Sequence, residues 1–204
     1  MFYNFYFTIR YFINNYMGIK EDALGDRGSK ALPINSKQKG NRNELEVCKW
    51  LSAWTGVEFV RVPMSGGLRW KNTIRMNICG DVVCTDYTFE FPFSIETKHY
   101  RSISFDTTSH RTLRKDSMVE TLFEQCRRDA GRDGKFPMLM LRVNRMPKQE
   151  WVVVFDISHF SSSFAERYAL AYSYSRELIL IKSSTLKLIG YHETATHLHR
   201  RELQ

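Results

Sequence analysis

The residues best suited to chemistry are Glu96 and Lys98, in Phe93-Ser94-Ile95-Glu96-Thr97-Lys98, and Asp81, at the head of Asp81-Val82-Val83-Cys84. Period-two alternation puts Glu96 and Lys98 on one face of a strand and Phe93, Ile95 and Thr97 on the other. An E-x-K triplet is expected by chance in a chain of 204 residues, so only its context gives it meaning. That context is an acid leading an apolar run, then a short turn region, as in an antiparallel strand pair. Asp81 and Glu96 then come within one metal-coordination sphere. Two carboxylates suit Mg²⁺, with Mn²⁺ as its substitute, because the ion takes oxygen ligands octahedrally and keeps waters, leaving a position for a scissile phosphate. Lys98 would orient or help deprotonate the attacking water and neutralise charge growing on the phosphate. Phosphodiester hydrolysis is the reaction such a set serves. The rival reading is a surface Glu–Lys pair beside an unrelated Asp, and spacing alone leaves both open.

A third acid belongs to the element before them. Projected at about 100° per residue, a helix over 41–54 puts Val47, Cys48, Leu51 and Trp54 on one arc, with Glu46 and Lys49 opposite. Glu44 falls in the middle of the apolar arc, where a charge needs a cation or a hydrogen-bond set to compensate it. Either it joins the metal through water or a second ion, or it favours the positive end of the helix dipole and reaches out to solvent. The competing D-x-K at Asp133-Gly134-Lys135 reads as turn chemistry before a strand.

The scaffold these side chains require is legible in outline. Helix 41–54 is followed by strand 57–62, a Gly-rich loop 63–77 and strands 78–85 and 92–99. A basic loop 100–116, helix 117–131 and strands 136–143 and 150–155 come next. This αβββαββ order is an α/β core. A helix at 164–174, a strand at 177–182 and a polar tail extend it. Accordingly, 1–38 reads as an aromatic arm and lead-in, 39–156 as the core and 157–204 as a packed extension. A 43% hydrophobic share argues against a disordered chain, and Lys+Arg 30 against Asp+Glu 22, a net +8, favours polyanionic partners. Four cysteines without a CxxC pair point to a reducing, cytoplasmic compartment. The aromatic segment 1–17 is interrupted by Asn4, Thr8, Arg10, Asn14 and Asn15, too often for a membrane span, and with neither a basic n-region before it nor a small-residue cleavage site after it, it does not read as a secretory signal. It reads as a packing or oligomerisation arm, or as an extension upstream of a true start at Met17.

In order, Lys39-Gly40-Asn41-Arg42-Asn43-Glu44-Leu45-Glu46, Arg61-Val62-Pro63-Met64-Ser65-Gly66-Gly67, Gly80-Asp81-Val82-Val83 and Phe93-Ser94-Ile95-Glu96-Thr97-Lys98 resemble the PD-(D/E)XK nuclease superfamily. Within it they are similar to archaeal-type and phage-type Holliday junction resolvases, over about residues 39–155. The resemblance implies a restriction-endonuclease-like αβββαβ fold and a homodimer whose two sites cut opposite strands of branched DNA. It assigns the metal to Asp81, Glu96, the Thr97 carbonyl and, as the helical acid, Glu44. Lys98 takes the catalytic lysine position, Ser65 lies near the scissile phosphate, and Gln125, in Phe123-Glu124-Gln125-Cys126, borders the site. Gly80 stands where the superfamily name has proline. A phage or bacterial origin fits the likeness.

Loop 61–77 interleaves Arg61, Arg69, Lys71 and Arg75 with Trp70 around Gly66-Gly67, which lets backbone approach a phosphate closely. With Ser65, Arg42, and Arg101 and Arg111 from loop 100–116, it makes the expected DNA-contacting set. A solvated basic loop is the plainer alternative. The leading expectation is a Mg²⁺-dependent, structure-selective DNA endonuclease of the resolvase type. Its rivals are a nuclease of the same superfamily acting on linear, flapped or single-stranded DNA, and a non-catalytic nucleic-acid-binding module.

Overall fold

The computed structural model describes residues 36–62, 80–105, 107–108, 110–115, 117–175 and 177–198. They form α1 (Ser36–Thr55), β1 (Phe59–Arg61), β2 (Val82–Cys84), β3 (Phe93–Tyr100), α2 (Val119–Arg132), β4 (Phe136–Val143) and β5 (Val152–Asp156). A short 3₁₀ turn, α3 (Ser162–Tyr168), β6 (Ala171–Tyr172), β7 (Leu178–Lys182), α4 (Ser183–Ile189) and α5 (Tyr191–Thr196) follow. The strands make one seven-stranded mixed sheet in the order β1-β2-β3-β4-β5-β7-β6. Only β3 and β4 run parallel, from Phe93 opposite Phe136 to Tyr100 opposite Val143, and α2 is the crossover that a parallel pair requires. The α/β, restriction-endonuclease-like core expected from the sequence is the fold observed.

Alternation along the central strands builds a core on each side of the sheet. On the α1 side Phe93 and Ile95 meet Val47, Leu51, Trp54, Met138 and Met140. On the α2 side Leu139 and Leu141 meet Leu122, Phe123 and Cys126. Glu96 and Lys98, opposite Leu139 and Leu141 in register, therefore face α2, whereas Thr97, opposite Met140, faces α1.

Several boundaries differ from the sequence-based expectation, each for a local reason. Helix α1 starts at Ser36 rather than 41. The helix expected at 164–174 is Ser162–Tyr168: Ser161 caps it by accepting from the Phe164 N–H, and extended backbone at Ala169 ends it before β6. Residues 183–196, expected within a polar tail, form α4 and α5. There Leu186, Tyr191 and Thr194 are buried, and Trp54 Nε1 donates to the Leu186 carbonyl at 3.0 Å. Loop 100–116 is less solvated than its charge suggests, because it buries Ile103, Phe105 and Leu113 beneath its basic residues. Among the described residues, no helix is long and apolar enough to cross a membrane.

Candidate active site

The site forms where β2 meets β3. The Asp81 N–H donates to the Ile95 carbonyl at 2.8 Å, and the Asp81 carbonyl accepts from the Val62 N–H at 2.9 Å, so this residue is fixed from both sides. Gly80 makes the approach possible. Its φ is +92°, and a Cβ there would lie 2.5 Å from the Ile95 carbonyl oxygen. Proline, held near φ −65°, cannot take this conformation, so glycine at 80 is a requirement of the geometry rather than an inexpensive replacement.

Held this way, the Asp81 carboxylate turns into the gap beside β3. Its Oδ2 accepts from the Thr97 N–H at 2.8 Å and from the Thr97 hydroxyl at 3.3 Å. In an extended strand the N–H and C=O of one residue point to the same side, so the Thr97 carbonyl faces Asp81 as well. Lys98 Nζ donates to Glu96 Oε1 at 2.5 Å. Asp81, Glu96 and Thr97 are all buried, and Lys98 is partly exposed. Folding thus brings together the acid, acid and lysine that the strand pattern singled out.

Negative charge is in surplus here. Burial first, and then the Asp81 charge, push the Glu96 carboxyl above the usual glutamate range; the Lys98 hydrogen bond pulls the other way and does not prevail. A second contributor is Asp129 on α2, whose charge adds to the upward push on Glu96. Burial alone would lower Lys98, but its hydrogen bond and attraction to Glu96, with Asp81 and Tyr100 behind them, raise it above its ordinary value. Lys98 is therefore held as an ammonium by these acids, a state that neutralises charge. Two carboxylates left with a net negative field fit a hard divalent cation, which Asp81, Glu96 and the Thr97 carbonyl would hold with water in the remaining positions.

Glu44 is not brought into this set. Its carboxylate pairs with Arg61 Nε on β1, and Arg61 Nη2 also donates to Asn41 Oδ1 at 2.8 Å. Arg61 supplies the compensating cation that the apolar helix arc called for. Among the described residues, no group of three or more His, Cys, Asp or Glu side chains could hold an ion. Gln125 lies exposed on α2, one turn before Asp129. Arg42 and Arg101 are exposed. Arg42 meets Glu46 at 3.2 Å. Arg111 is turned inward: Nη1 donates to the Ala169 carbonyl at 2.8 Å and the guanidinium sits over the Tyr172 ring, which pins the basic loop to β6. Ser65, Gly66, Arg69, Lys71 and Arg75 lie outside the described residues. A groove of about 690 Å³ between α1 and β1, lined by Leu45, Cys48, Phe59 and Val60 among others, reaches this region only through Arg61 and holds none of the three central residues.

Sequence reasoning missed Asp129 and Tyr100. Tyr100 continues the Glu96–Lys98 face by the same two-residue step. Asp129 follows Cys126 by three residues, the spacing that brings it round to the face of α2 that meets the sheet. Both signals were available.

Residues 35–199 match the family described as "Phage putative PDDEXK endonuclease". Protein D14 of Escherichia phage T5 is 24% identical over 128 residues, covering 62% of this chain and 74% of that protein. No solved structure matches. With the family match spanning most of the sequence, the chain belongs to the PD-(D/E)XK endonucleases of phages.

Proposed function

We propose that the protein is a Mg²⁺-dependent, structure-selective DNA endonuclease that resolves four-way junctions as a homodimer. The observation that carries the reading is the pair Asp81 and Glu96, buried together with more negative charge than Lys98 balances. A structural ion pair gains nothing from a second and third carboxylate at its side. A cation site does, and when bound the ion would polarise the scissile phosphate and acidify a water. The protein supplies the rest. Asp81 is locked by Thr97 before any ligand arrives, so its carboxylate is preorganised. The Lys98 ammonium stands where it stabilises charge on a phosphoryl group, and Mn²⁺ is expected to replace Mg²⁺. The resolvase assignment rests on the likeness of the ordered motifs, and dimerisation on the same likeness.

The test is incubation of the purified protein with a labelled immobile four-way junction, a flap and a linear duplex, in Mg²⁺ and in EDTA. Paired symmetric nicks across the junction, in Mg²⁺ only, are expected. Uniform digestion of linear duplex would exclude resolution while keeping the nuclease; binding without scission in any metal would exclude both. Light scattering should give twice the 24.1 kDa chain mass.

A further inference from the structure

A second charged cluster lies at the C-terminal end of the same strand, just beyond Lys98, and the proposed chemistry does not use it. Lys39, near the start of α1, reaches across the end of β3: its Nζ donates to the Tyr100 carbonyl at 3.3 Å and to Asn144 Oδ1 at 2.7 Å. These contacts draw Arg101, the residue after Tyr100, and Arg145, the residue after Asn144, to one rim. Arg142 on β4 donates from Nη2 to the Pro147 carbonyl at 3.3 Å, which holds the β4–β5 turn and its Lys148 against the same place. Arg101, Arg145 and Lys148 are exposed. The acids nearby are already engaged. Glu46 is shared between Arg42 and Arg142, and Glu150 accepts from the Ser183 hydroxyl and the Ser184 N–H.

The backbone of the turn adds an independent observation. Arg145 has φ +71° and Gln149 has φ +61°, left-handed conformations that favour glycine or asparagine. An arginine at such a position strains the chain, as at Arg111, φ +58°, and the Arg145 side chain is exposed. Residues held against their backbone preference concentrate at functional places. Burial first, then the charges of Lys39 and Arg142, hold the His99 imidazole down to about 4, consistent with a strong positive field at this rim.

We infer that the rim formed by Lys39, Arg101, Arg145 and Lys148 is a second binding surface for nucleic-acid phosphates, gripping the substrate away from the scissile bond. It rests on the nuclease reading for the identity of the polyanion. Arg101 follows Lys98 by three residues, about 10 Å of extended chain, or about three base pairs along a duplex strand. The odd number of steps turns Arg101 away from the face of Lys98, so a substrate meets both by passing over the C-terminal end of β3, and the rim lengthens the footprint rather than competing with the carboxylates.

The test compares Arg145→Gly combined with Lys148→Ala against a charge-matched control, Lys49→Ala with Lys187→Ala, exposed cations on other surfaces. Binding of a labelled four-way junction and of a linear duplex is measured in EDTA over a range of salt, beside the melting temperature. The rim variant should lower the slope of log K against log salt by about 0.9 per contact removed, about 1.8 for the pair, where the control leaves it nearly unchanged. Arg145→Gly alone should melt no lower than the unaltered protein, because glycine relieves the left-handed turn, so weaker binding cannot be ascribed to unfolding. A slope equal to that of the control, or an unaltered protein that does not bind DNA, overturns the inference. Absent cleavage with a rim-dependent slope would overturn the nuclease reading and leave the surface standing.

Discussion

Glu96 and Glu46 lie on neighbouring elements, each bonded to a basic side chain, and differ in what surrounds the pair. Glu46 sits between Arg42 and Arg142, and Arg142 rests over the Trp151 ring. Cations exceed acids there, so every negative charge is compensated and the cluster braces α1 against β4. Glu96 has Lys98 as its bonded cation, with Asp81 and Asp129 adding negative charge. Glu46 is partly exposed and Glu96 buried, yet Arg142, at 9% exposed, shows that the first cluster too is shielded. Charge balance separates them. A balanced cluster holds the fold, and an unbalanced one is set for a ligand of opposite sign.

Neutralising each glutamate breaks the comparison most directly. Glu96→Gln or Asp81→Asn should reduce Mg²⁺-dependent cleavage by about 10³-fold or more, the scale on which a metal ligand or preorganised charge contributes. Thermal stability should be maintained, because a like-charge repulsion is removed. Gly80→Ala comes next. Its Cβ cannot avoid the Ile95 carbonyl, so unfolding titrations should show a loss of about 2–3 kcal/mol, with cleavage falling as Asp81 is displaced. Glu46→Gln is expected to do the reverse of Glu96→Gln. It leaves Arg142 without its carboxylate and costs about 2 kcal/mol, less than a fully buried pair because Glu46 is partly exposed, while activity per folded molecule persists. If Glu96→Gln destabilises as much as Glu46→Gln, the distinction between brace and site is lost.

The contrast also marks what a sequence discloses. Asp81, Glu96 and Lys98 were legible because strand alternation fixes faces locally and the acid heads the adjacent strand. Glu44 was read as inward-facing and as a ligand, whereas its pairing with Arg61 was not foreseen, because Arg61 comes from β1, seventeen positions on, and helix projection carries no such partner. Arg111 was legible as a cation, but its inward turn depends on Ala169 and Tyr172, which only tertiary packing brings to it. Helices α4 and α5 escaped for a different reason. Each has seven residues or fewer, and Gly190 at φ +86° breaks the run between them, so no apolar period accumulates before the chain turns. The sheet order from β2 to β5 follows from two short connections and one crossover helix, whereas the placement of β7 between β5 and β6 has no local signal in the sequence.

Titration sharpens the comparison on smaller scales. Glu96 has a folded-state pKa above its unfolded value, so its contribution to stability is complete below the unfolded pKa and is lost as pH rises through the folded one. In EDTA, the stability of the unaltered protein relative to Glu96→Gln should therefore fall as pH rises past the usual glutamate range. Mg²⁺ should reverse that fall near neutral pH by supplying the missing positive charge. Denaturant titrations of both proteins across about pH 4 to 8, with and without Mg²⁺, measure it. A gap that does not move with pH removes the surplus charge on which the site rests.

His99 tests the opposite cluster and carries the smallest effect. Its folded-state value of about 4 lies below the ordinary 6.5, because burial, Lys39 and Arg142 all disfavour the imidazolium. Between those values the unfolded chain binds a proton that the folded chain refuses. Stability present above pH 6.5 should thus drain away as pH falls through about 4. The ring is half exposed and solvent screens it, so the change should stay well under the roughly 1.4 kcal/mol per unit that a fully shielded group would give. His99→Gln abolishes this component, and the stability difference between variant and parent should slope across that window. Lys39→Ala should flatten the slope in part, since it removes the larger of the two named charges. A parent and a His99→Gln protein that lose stability in parallel down to pH 4 would mean that the rim is not a positive field, and with it would go the claim that the cluster at Glu96 and the one at the C-terminal end of β3 are charged in opposite senses.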